Sequence, residues 1–294
     1  MISIIICSRN KTISSLQEKN ITETIGLPYE IIWIDNSENN NTAFSAFNKG
    51  ASQSKYSILC FMHDDILFQT NQWGKIVETE LVNDTGVLGI AGSILKTRTP
   101  SPWWVSNYYS FNQYLRLNIL QKRGKDETLK LENINPDNET KAQVEVLDGV
   151  WMCCRKILWE ENKFDEKTYS HFHFHDMDFC LTASGKGYKN YVLYDILIEH
   201  NSAGHLDSSW IEAAEIFTRK WKKTLPVSLR SVSKKEMKNI EYEAIKNYLM
   251  ILYQNQYGSI LFRFNYWLKT LFLKRLQKEH LLLLKNVVRN LKNK

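Results

Sequence analysis

The chain has 294 residues, of which 43% are hydrophobic and 24% are charged, and this globular composition excludes a disordered or collagen-like chain. Its formal net charge is +6, and residues 259–294 contain nine Lys or Arg against one acidic residue, so the positive excess belongs to the C-terminus. No apolar stretch is long enough to span a membrane. The five cysteines contain no C-x-x-C pair, so neither a zinc ribbon nor a disulfide framework is expected.

The N-terminal third alternates apolar runs with polar, helix-like segments. Strands are predicted at Ile2–Cys7, Glu30–Ile34, Ser57–Met62 and Val87–Ile90, and helices at 11–24, 42–54 and 71–82. This alternation predicts a parallel sheet covered by helices on both faces. Such sheets bind ligands beyond the carboxyl ends of their strands. Those ends carry the polar runs Ser8–Asn10, Asp35–Ser37 and His63–Asp65, which therefore mark a candidate ligand site.

The following segments are predicted to be less regular, and the C-terminal part helical. Pro100–Tyr109 indicates an aromatic loop, and the charged, Asn-rich segment Lys122–Thr140 is predicted to be a mobile excursion. Ordered structure is expected at Val144–Val150, with a helix near Arg155–Asn162, a helix to about Lys186 and a strand at Tyr191–His200. From Ser208 onward the pattern is helical, with a break at Pro226.

Three carboxylates at strand ends are the first candidates for chemistry. Asp64 and Asp65 are adjacent, and paired carboxylates repel unless a cation lies beside them. A Mg²⁺ or Mn²⁺ ion would relieve that repulsion and would bind substrate phosphates; the alternative is a solvated turn or a helix N-cap. Asp35 either caps the following helix or accepts hydrogen bonds from a nucleobase or ribose.

The stretch His171–Asp178 is the most unusual in the sequence. If it is extended, His171, His173 and His175 share one face, and a zinc site is a fair hypothesis. The alternative is a polar strand edge after which Asp176 and Asp178 begin a helix, where the helix dipole favours carboxylates. One of these two could act as a general base while the other anchors the turn.

The order of these motifs resembles the GT-A glycosyltransferases of family 2, and most closely the bacterial StrF-like branch. The matching segments are Ser3–Asn10, Ile34–Ser37, Phe47–Gly50, Phe61–Ile66, Leu147–Gly149, Phe164–Glu166, Phe172–Phe179 and Glu199–Ser202. The resemblance covers residues 1–225 and implies a GT-A catalytic domain there. It implies a Rossmann-like, mixed and mainly parallel sheet with helices on both faces, followed by a basic, amphipathic helical tail at 226–294.

The resemblance also implies roles for individual residues. Asp35 would bind the base, expected to be uracil, and Asp64 would face the ribose or diphosphate. Asp65 and His200 would hold the divalent metal, Mn²⁺ or Mg²⁺, and Asp176 takes the position of the catalytic base. The rest of the implied nucleotide-sugar site comprises Cys7, Ser8, Arg9, Asn36 and Lys49. Residues assigned to the acceptor side are Trp151, His175 and Asp178, with the aromatic residues Trp103, Trp104, Tyr108 and Tyr109 as further candidates.

The implied activity is a metal-dependent, inverting transfer of a hexosyl or N-acetylhexosaminyl group from a nucleotide-diphosphate donor. The acceptor would be the hydroxyl of a glycan or a lipid-linked sugar, in the synthesis of bacterial surface polysaccharide or glycoconjugates. One alternative is a zinc hydrolase that uses His171, His173, His175 and Asp176. Another is a carbohydrate-binding GT-A module without catalysis.

The tail and the start of the chain bear on partners and location. A basic, aromatic-rich helix within residues 259–294 can lie on an anionic membrane, or it can pack on the catalytic domain or on a second subunit of a homodimer. No recognised motif supports a nucleic-acid partner. Because Met1 leads directly into an apolar strand without a signal-peptide pattern, we expect a cytoplasmic protein, with peripheral attachment to the inner face of the membrane as an alternative.

Overall fold

The computed structural model describes residues 1–105, 111–123, 128–201, 204 and 206–288. The strands are β1 (Ile2–Ser8), β2 (Tyr29–Asp35), β3 (Ile58–Met62), β4 (Ile66–Phe68), β5 (Thr85–Gly89), β6 (Ala91–Ser93), β7 (Leu95–Lys96), β8 (Leu115–Arg123), β9 (Thr128–Ile134), β10 (Lys141–Val144), β11 (Val146–Leu147), β12 (Trp151–Arg155), β13 (Lys189–Leu193), β14 (Ile198–His200) and β15 (Val227–Ser228). The helices are α1 (Ser15–Thr24), α2 (Ala43–Gln53), α3 (Trp73–Glu80), α4 (Lys156–Asn162), α5 (His175–Gly185), α6 (Ser208–Lys220), α7 (Lys234–Gln254), α8 (Ile260–Leu273) and α9 (Lys278–Val288).

Among the described residues, seven strands form the main sheet in the order β10-β13-β5-β12-β3-β1-β2. β1 runs parallel to β2 and β3, whereas β12 runs antiparallel to β3 and β5. The apolar run Ile4–Ile6 in β1 is fully buried and packs with Phe44 and Phe47 of α2 in the core. The predicted α/β class, the mixed sheet and the C-terminal helices are confirmed; in the described main sheet three strand pairings are parallel and three are antiparallel.

A second sheet, in the order β11-β6-β8-β14-β4, lies beyond the strand ends of the first. β14 pairs antiparallel with β4, so that His200 is the register partner of Ile66. Because Asp65 directly precedes Ile66, this pairing carries the end of β14 to the Asp64–Asp65 turn. Two distant parts of the sequence therefore meet beside the C-terminal end of β3.

Two of the predictions for the middle of the chain are wrong. Residues 128–134, inside the predicted mobile excursion, form β9, which pairs antiparallel with β8; residues 115–119 of β8 are all buried and hold the hairpin in the fold. The predicted strand Tyr191–His200 is two strands, because the chain leaves the main sheet after Leu193 and enters the second sheet at Ile198.

The C-terminal helices pack against the preceding part of the chain. Tyr248 of α7 and Tyr266 of α8 both donate to the Glu215 carboxylate of α6, at 2.6 and 2.7 Å. In the described part of the chain, no helix combines the length and apolar character that a membrane crossing requires. The division of the chain at 225/226 stays a prediction.

Candidate active site

A cavity of about 400 Å³ opens where the two sheets meet. Its walls come from the turn after β3, the segment between β11 and β12, strands β8 and β14, and the start of α5. The polar lining residues are His63, Gln121, Glu132, Asp148, His173, His175, Asp176 and His200, and the larger apolar ones are Trp103, Trp104, Leu117, Ile119, Phe172 and Trp210. A cavity with a few polar groups on an otherwise apolar wall is typical of small-molecule sites.

Three ligating side chains gather beside this cavity, and two of them, His63 and His200, line it. Atoms of His63, Asp65 and His200 lie within 4.8 Å of one another, and this is the one such group in the ranges that the structure describes. Nε2 of His200 lies 3.5 Å from Oδ1 of Asp65. That carboxylate oxygen is buried and accepts no hydrogen bond, a costly state unless a cation compensates for it. The group therefore fits a divalent first-row metal ion.

The imidazole of His200 is held in the form that a metal needs. Its Nδ1 lies 2.9 Å from Oε1 of Gln121, whose amide nitrogen faces the carbonyl oxygens of Lys122 and His200. Since the amide nitrogen donates, Oε1 accepts, and the proton of the neutral ring is on Nδ1. Burial lowers the pKa of both His200 and His63, so both rings favour the neutral form. The Nε2 lone pair of His200 is thus directed toward Asp65.

Part of the predicted nucleotide site is assembled at the ends of β1 and β3. The Ser8 hydroxyl donates to Oδ2 of Asp64, and the Asn10 amide donates to the same oxygen at 3.3 Å. The backbone N–H of Asn36 donates to the Ser8 carbonyl at 2.7 Å. Burial, with the charge of Asp64, raises the pKa of the Cys7 thiol to about 11, which keeps the thiol neutral.

The other predicted nucleotide-site residues are exposed. The Asp35 carboxylate accepts the backbone N–H of Ser37 at 2.9 Å, and this hydrogen bond lowers its pKa. Arg9 follows β1 in the strand-end loop, and Lys49 lies on the second turn of α2. None of these three lines the cavity. A role for these three residues in nucleotide binding therefore stays a prediction.

Asp176 lies in the first turn of α5 and lines the cavity. Its Oδ2 accepts the N–H of Gly149 at 2.8 Å, and its Oδ1 accepts the N–H of Met177 at the same distance. Burial, followed by repulsion from Asp148, raises the pKa of Asp176 to about 7. Two backbone donors thus fix the carboxylate, while its surroundings make it an effective proton acceptor near neutral pH.

The extended histidine face expected at 171–175 does not form, because α5 begins at His175 and Phe174 has a φ of +73°. His171 bonds to Glu212 at 2.8 Å, and Nδ1 of His175 lies 3.0 Å from the Phe172 carbonyl oxygen. His173 lies 3.9 Å from Asp207. Each ring has a different partner, so the zinc site of the hydrolase alternative is not assembled in the described structure.

The acceptor-side candidates are divided between the cavity and the core. His175, Trp103 and Trp104 line the cavity. Trp151 is fully buried and its ring packs edge-on against Phe68 and Trp73, so it forms part of the core instead. Tyr108 and Tyr109, like Ser202 of the last motif, lie outside the described residues.

Asp178 is also remote from the cavity wall. Its carboxylate accepts from Tyr169 at 2.9 Å, and from Trp221 and Lys220 at 2.8 Å each. Because α5 turns by 100° per residue, Asp178 lies on a different face from Asp176. The geometry therefore gives Asp178 a structural position where the sequence motif suggests an acceptor contact.

Three residues of the site escape the sequence analysis. His63 directly precedes the acidic pair Asp64–Asp65 and has no role implied by the motif, yet its side chain joins the ligating group. Asp148 has a signal in the Leu147–Gly149 motif, although nothing local indicates that it acts on Asp176. Gln121 belongs to the hairpin segment that the sequence predicts to be mobile, so no pattern connects it with His200.

Comparison with known proteins places the chain in a family. The model of the "Glycosyltransferase like family" matches residues 3–252, whereas no curated protein matches significantly. Three similar solved structures have low identity and low structural overlap. A197 from STIV is 13% identical, with 69% of this chain and 86% of that chain covered and a TM-score of 0.40.

The second, GalNAc-T7 with UDP, GalNAc and Mn²⁺, is 11% identical, with 85% of this chain and 47% of that chain covered and a TM-score of 0.47. The third, the mannosyltransferase PcManGT from Pyrobaculum calidifontis in complex with GDP-Man and Mn²⁺, is 10% identical, with 98% and 73% covered and a TM-score of 0.45. The family match, which spans most of the sequence, agrees with the resemblance of the motifs: the chain belongs to the glycosyltransferase-like family and is a glycosyltransferase.

Proposed function

We propose that the enzyme transfers a sugar, with inversion, from a nucleoside-diphosphate donor to a hydroxyl group of a glycan or lipid-linked acceptor, with the help of a divalent metal. UDP is the proposed nucleotide, and Asp35, Asn36 and Asp64 at the strand ends are its proposed binding residues. The observation that carries the proposal is the shared cavity: His63 and His200 of the ligating group and Asp176 of α5 all line it.

The proposed metal ligands are His63, Asp65 and His200. The orphaned buried oxygen of Asp65 and the neutral imidazoles support this assignment. Two nitrogen donors favour Mn²⁺ over Mg²⁺, which prefers oxygen ligands. When bound, the ion supplies positive charge against the negative charge that develops on the leaving diphosphate.

The proposed base is Asp176. In its ionised form the carboxylate accepts the proton of the acceptor hydroxyl as that oxygen attacks the anomeric carbon, and the bond to the leaving diphosphate breaks in the same displacement. The N–H groups of Gly149 and Met177 hold the carboxylate in place during this step. Trp103 and Trp104, which pack edge-on at 5.4 Å, offer apolar faces to the acceptor sugar. No covalent enzyme nucleophile takes part.

The test separates donor binding from transfer. Calorimetric titration with UDP, with and without Mn²⁺, should show metal-dependent binding that Asp65→Ala abolishes and Asp176→Asn preserves. Asp176→Asn should lose about 10²–10⁴-fold in transfer, and NMR of the product should show the inverted anomer. Asp195→Ala, which changes an exposed carboxylate, is the matched control. Near-normal turnover by Asp176→Asn, or metal-dependent UDP binding unchanged by Asp65→Ala, would refute the assignment.

A further inference from the structure

Helix α8 has apolar side chains on two opposite faces. Its inner face carries Tyr266, Trp267 and Thr270, which are buried. With 100° per residue, Leu261, Leu268 and Phe272 fall on the opposite side, and Leu261 is 74% and Phe272 81% exposed. A helix that is apolar on both faces is normally buried on both. The outer face of α8 is therefore exposed to solvent although its residues are largely apolar.

The connection to α9 and the outer face of α9 continue this pattern. Leu276, Leu281 and Leu282 are 67%, 55% and 60% exposed, whereas His280 and Val287 face inward and are buried. Three exposed cations lie among the leucines in sequence: Arg275, Lys278 and Lys285. We call the five exposed apolar residues (Leu261, Phe272, Leu276, Leu281 and Leu282), together with these three cations, the C-terminal surface.

The acidic side chain of this region, Glu279, is paired with residues of α7. Glu279 bonds to Lys246 and, at 2.9 Å, to the Tyr242 hydroxyl, both on α7. The exposed side chains of the C-terminal surface are thus cationic or apolar. The sequence that follows adds Arg289, Lys292 and Lys294, so the charge of the chain's end has the same sign.

We propose that the C-terminal surface binds the anionic headgroup face of a lipid bilayer, with the axes of α8 and α9 lying in the interface. The leucine and phenylalanine side chains enter the boundary with the acyl chains, and the Lys and Arg side chains meet lipid phosphates. A second copy of the chain would bring like charges together. A nucleic acid would satisfy the cations but leave five large apolar side chains in water.

The experiment is flotation of the full chain with vesicles. Vesicles of phosphatidylcholine and phosphatidylglycerol in equal parts should carry the protein upward, pure phosphatidylcholine much less, and added salt should reduce binding. Replacing Arg275, Lys278 and Lys285 by Gln should weaken the partition coefficient on the order of a hundredfold, since each cation contributes roughly fivefold. Phe272→Ser with Leu281→Ser should weaken it by about tenfold or more.

The matched control is Leu16→Ser with Lys19→Gln on α1, because both side chains are strongly exposed in the free protein. This control should bind as the unchanged chain does, and thermal melts should show that every variant is folded. The proposal is overturned if the unchanged chain does not float with anionic vesicles. It is also overturned if both the Gln variant and the Ser variant of the C-terminal surface float as well as the unchanged chain. It is also overturned if the C-terminal variants abolish a dimer in solution while vesicle binding is absent.

Discussion

Asp176 shows how the surroundings of one carboxyl group can prepare it for proton transfer. Burial and the neighbouring Asp148 raise its pKa to about 7, against the lowering effect of the N–H donors of Met177 and Gly149. A base with a pKa near the working pH combines a useful ionised fraction with a strong affinity for the proton. The same balance makes the proposed role testable through pH.

We expect kcat/KM to rise with pH up to about 7 and then to level off, because the ionised carboxylate of Asp176 is the active form. Below that pH the rate should fall about tenfold per unit. Asp148→Asn should move this limb to lower pH, but only in part, since burial is the larger cause of the shift. Initial rates across the pH range at fixed Mn²⁺ measure both effects; a limb that does not move in Asp148→Asn contradicts the electrostatic contribution.

Gln121 is expected to tune the proposed metal site through His200. Gln121→Ala removes the acceptor of the Nδ1 proton, so the ring loses its fixed orientation, and Mn²⁺-dependent UDP binding should weaken about 10–100-fold. Calorimetry measures this loss. Gln53→Ala, at the exposed end of α2, should have no effect. Equal affinity in the Gln121 variant would show that the hydrogen bond does not position the ring.

The sequence predicts some of these residues and not others for a physical reason. The gathering of Asp65 with Asp64 and Ser8 follows from parallel strands that end at one edge. His200 joins them through an antiparallel pairing with β4, which the motif order indicates and residue patterns alone do not. Trp151 and Asp178 resemble site residues in sequence, but the direction of a side chain depends on strand and helix phase in the complete fold.

At the scale of elements, the junction before β12 and the start of α5 fit together closely. A Cβ on Gly149 would lie 2.5 Å from Nε2 of His175 and 3.2 Å from Cβ of Asp176. The ring of His175 has little room to withdraw, because Phe47 and Phe164 pack against it. The glycine is therefore required for the close approach of this segment to α5.

Gly149→Ala should lower the stability by about 1–3 kcal/mol and reduce transfer, since Asp176 must move with the start of α5. Thermal denaturation and initial rates measure the two effects. Gly185→Ala is the control at the other end of the same helix, where no atom lies within 4 Å of the added Cβ; it should be neutral or slightly stabilising. Unchanged stability of Gly149→Ala would show that the segment before β12 can shift enough to accommodate the added methyl group.

The contact between α5 and α6 depends on the buried carboxylate of Asp178. Lys220 lies 2.8 Å from Asp178, whose side chain is 3% exposed, and 2.7 Å from Asp165, which is 28% exposed. Lys220 is 27% exposed and keeps Asp165 as a partner, but the buried Tyr169 hydroxyl and the Trp221 ring N–H both donate to Asp178. A buried donor that loses its acceptor costs about 1–3 kcal/mol. Asp165 keeps more of its hydration and so contributes less.

Asp178→Ala should therefore destabilise the enzyme by about 3 kcal/mol, whereas Asp165→Asn should cost under about 1 kcal/mol. Both are measured by chemical denaturation. Since Asp178 does not line the cavity, UDP binding by the folded variant should be unchanged. A variant of normal stability with a raised acceptor KM would instead restore the acceptor role that the sequence motif suggests.

The elements that the sequence predicts best are those with one strong local pattern. β3 is a continuous apolar run, β1 is one interrupted by Ser3, and α2 has an apolar stripe that follows a Thr42 capping box. β9 has no such pattern, because Leu129 and Leu131 are exposed and the strand is held by backbone pairing with β8. The charged composition of β9 therefore predicts a loop, although the segment forms one strand of a hairpin.

At the scale of the whole molecule, the C-terminal helices make contacts with the part of the chain that holds the cavity. The Glu241 carboxylate of α7 accepts the N–H groups of Arg98 and Thr99, at 2.7 and 3.1 Å. These residues precede Trp103 and Trp104 of the cavity wall by a few positions. Ring contact between Tyr248 and Trp210, at 6.5 Å, joins α7 to α6. Such contacts across long sequence separations have no signature in the tail's own basic, amphipathic pattern.

The chain truncated after Leu225 should therefore fold poorly on its own, even though the motif resemblance ends there. It exposes the surface that α7 covers, including the Trp210 ring against Tyr248, and it removes the Glu241 acceptor of the Arg98 and Thr99 N–H groups, against a total stability of about 5–15 kcal/mol. We expect a broad, early thermal transition and weak UDP binding by calorimetry.

A chain that ends at Gly258 provides the comparison, because it keeps α7 and its bonds to Arg98 and Thr99. It should melt cooperatively, below the full chain, since the packing of Tyr248 of α7 against Tyr266 of α8 is lost. UDP binding should survive in this form. If the chain of residues 1–225 instead melts like the full chain and binds UDP normally, the boundary at 225/226 divides two independent units, and the bonds from Glu241 are dispensable for the cavity wall.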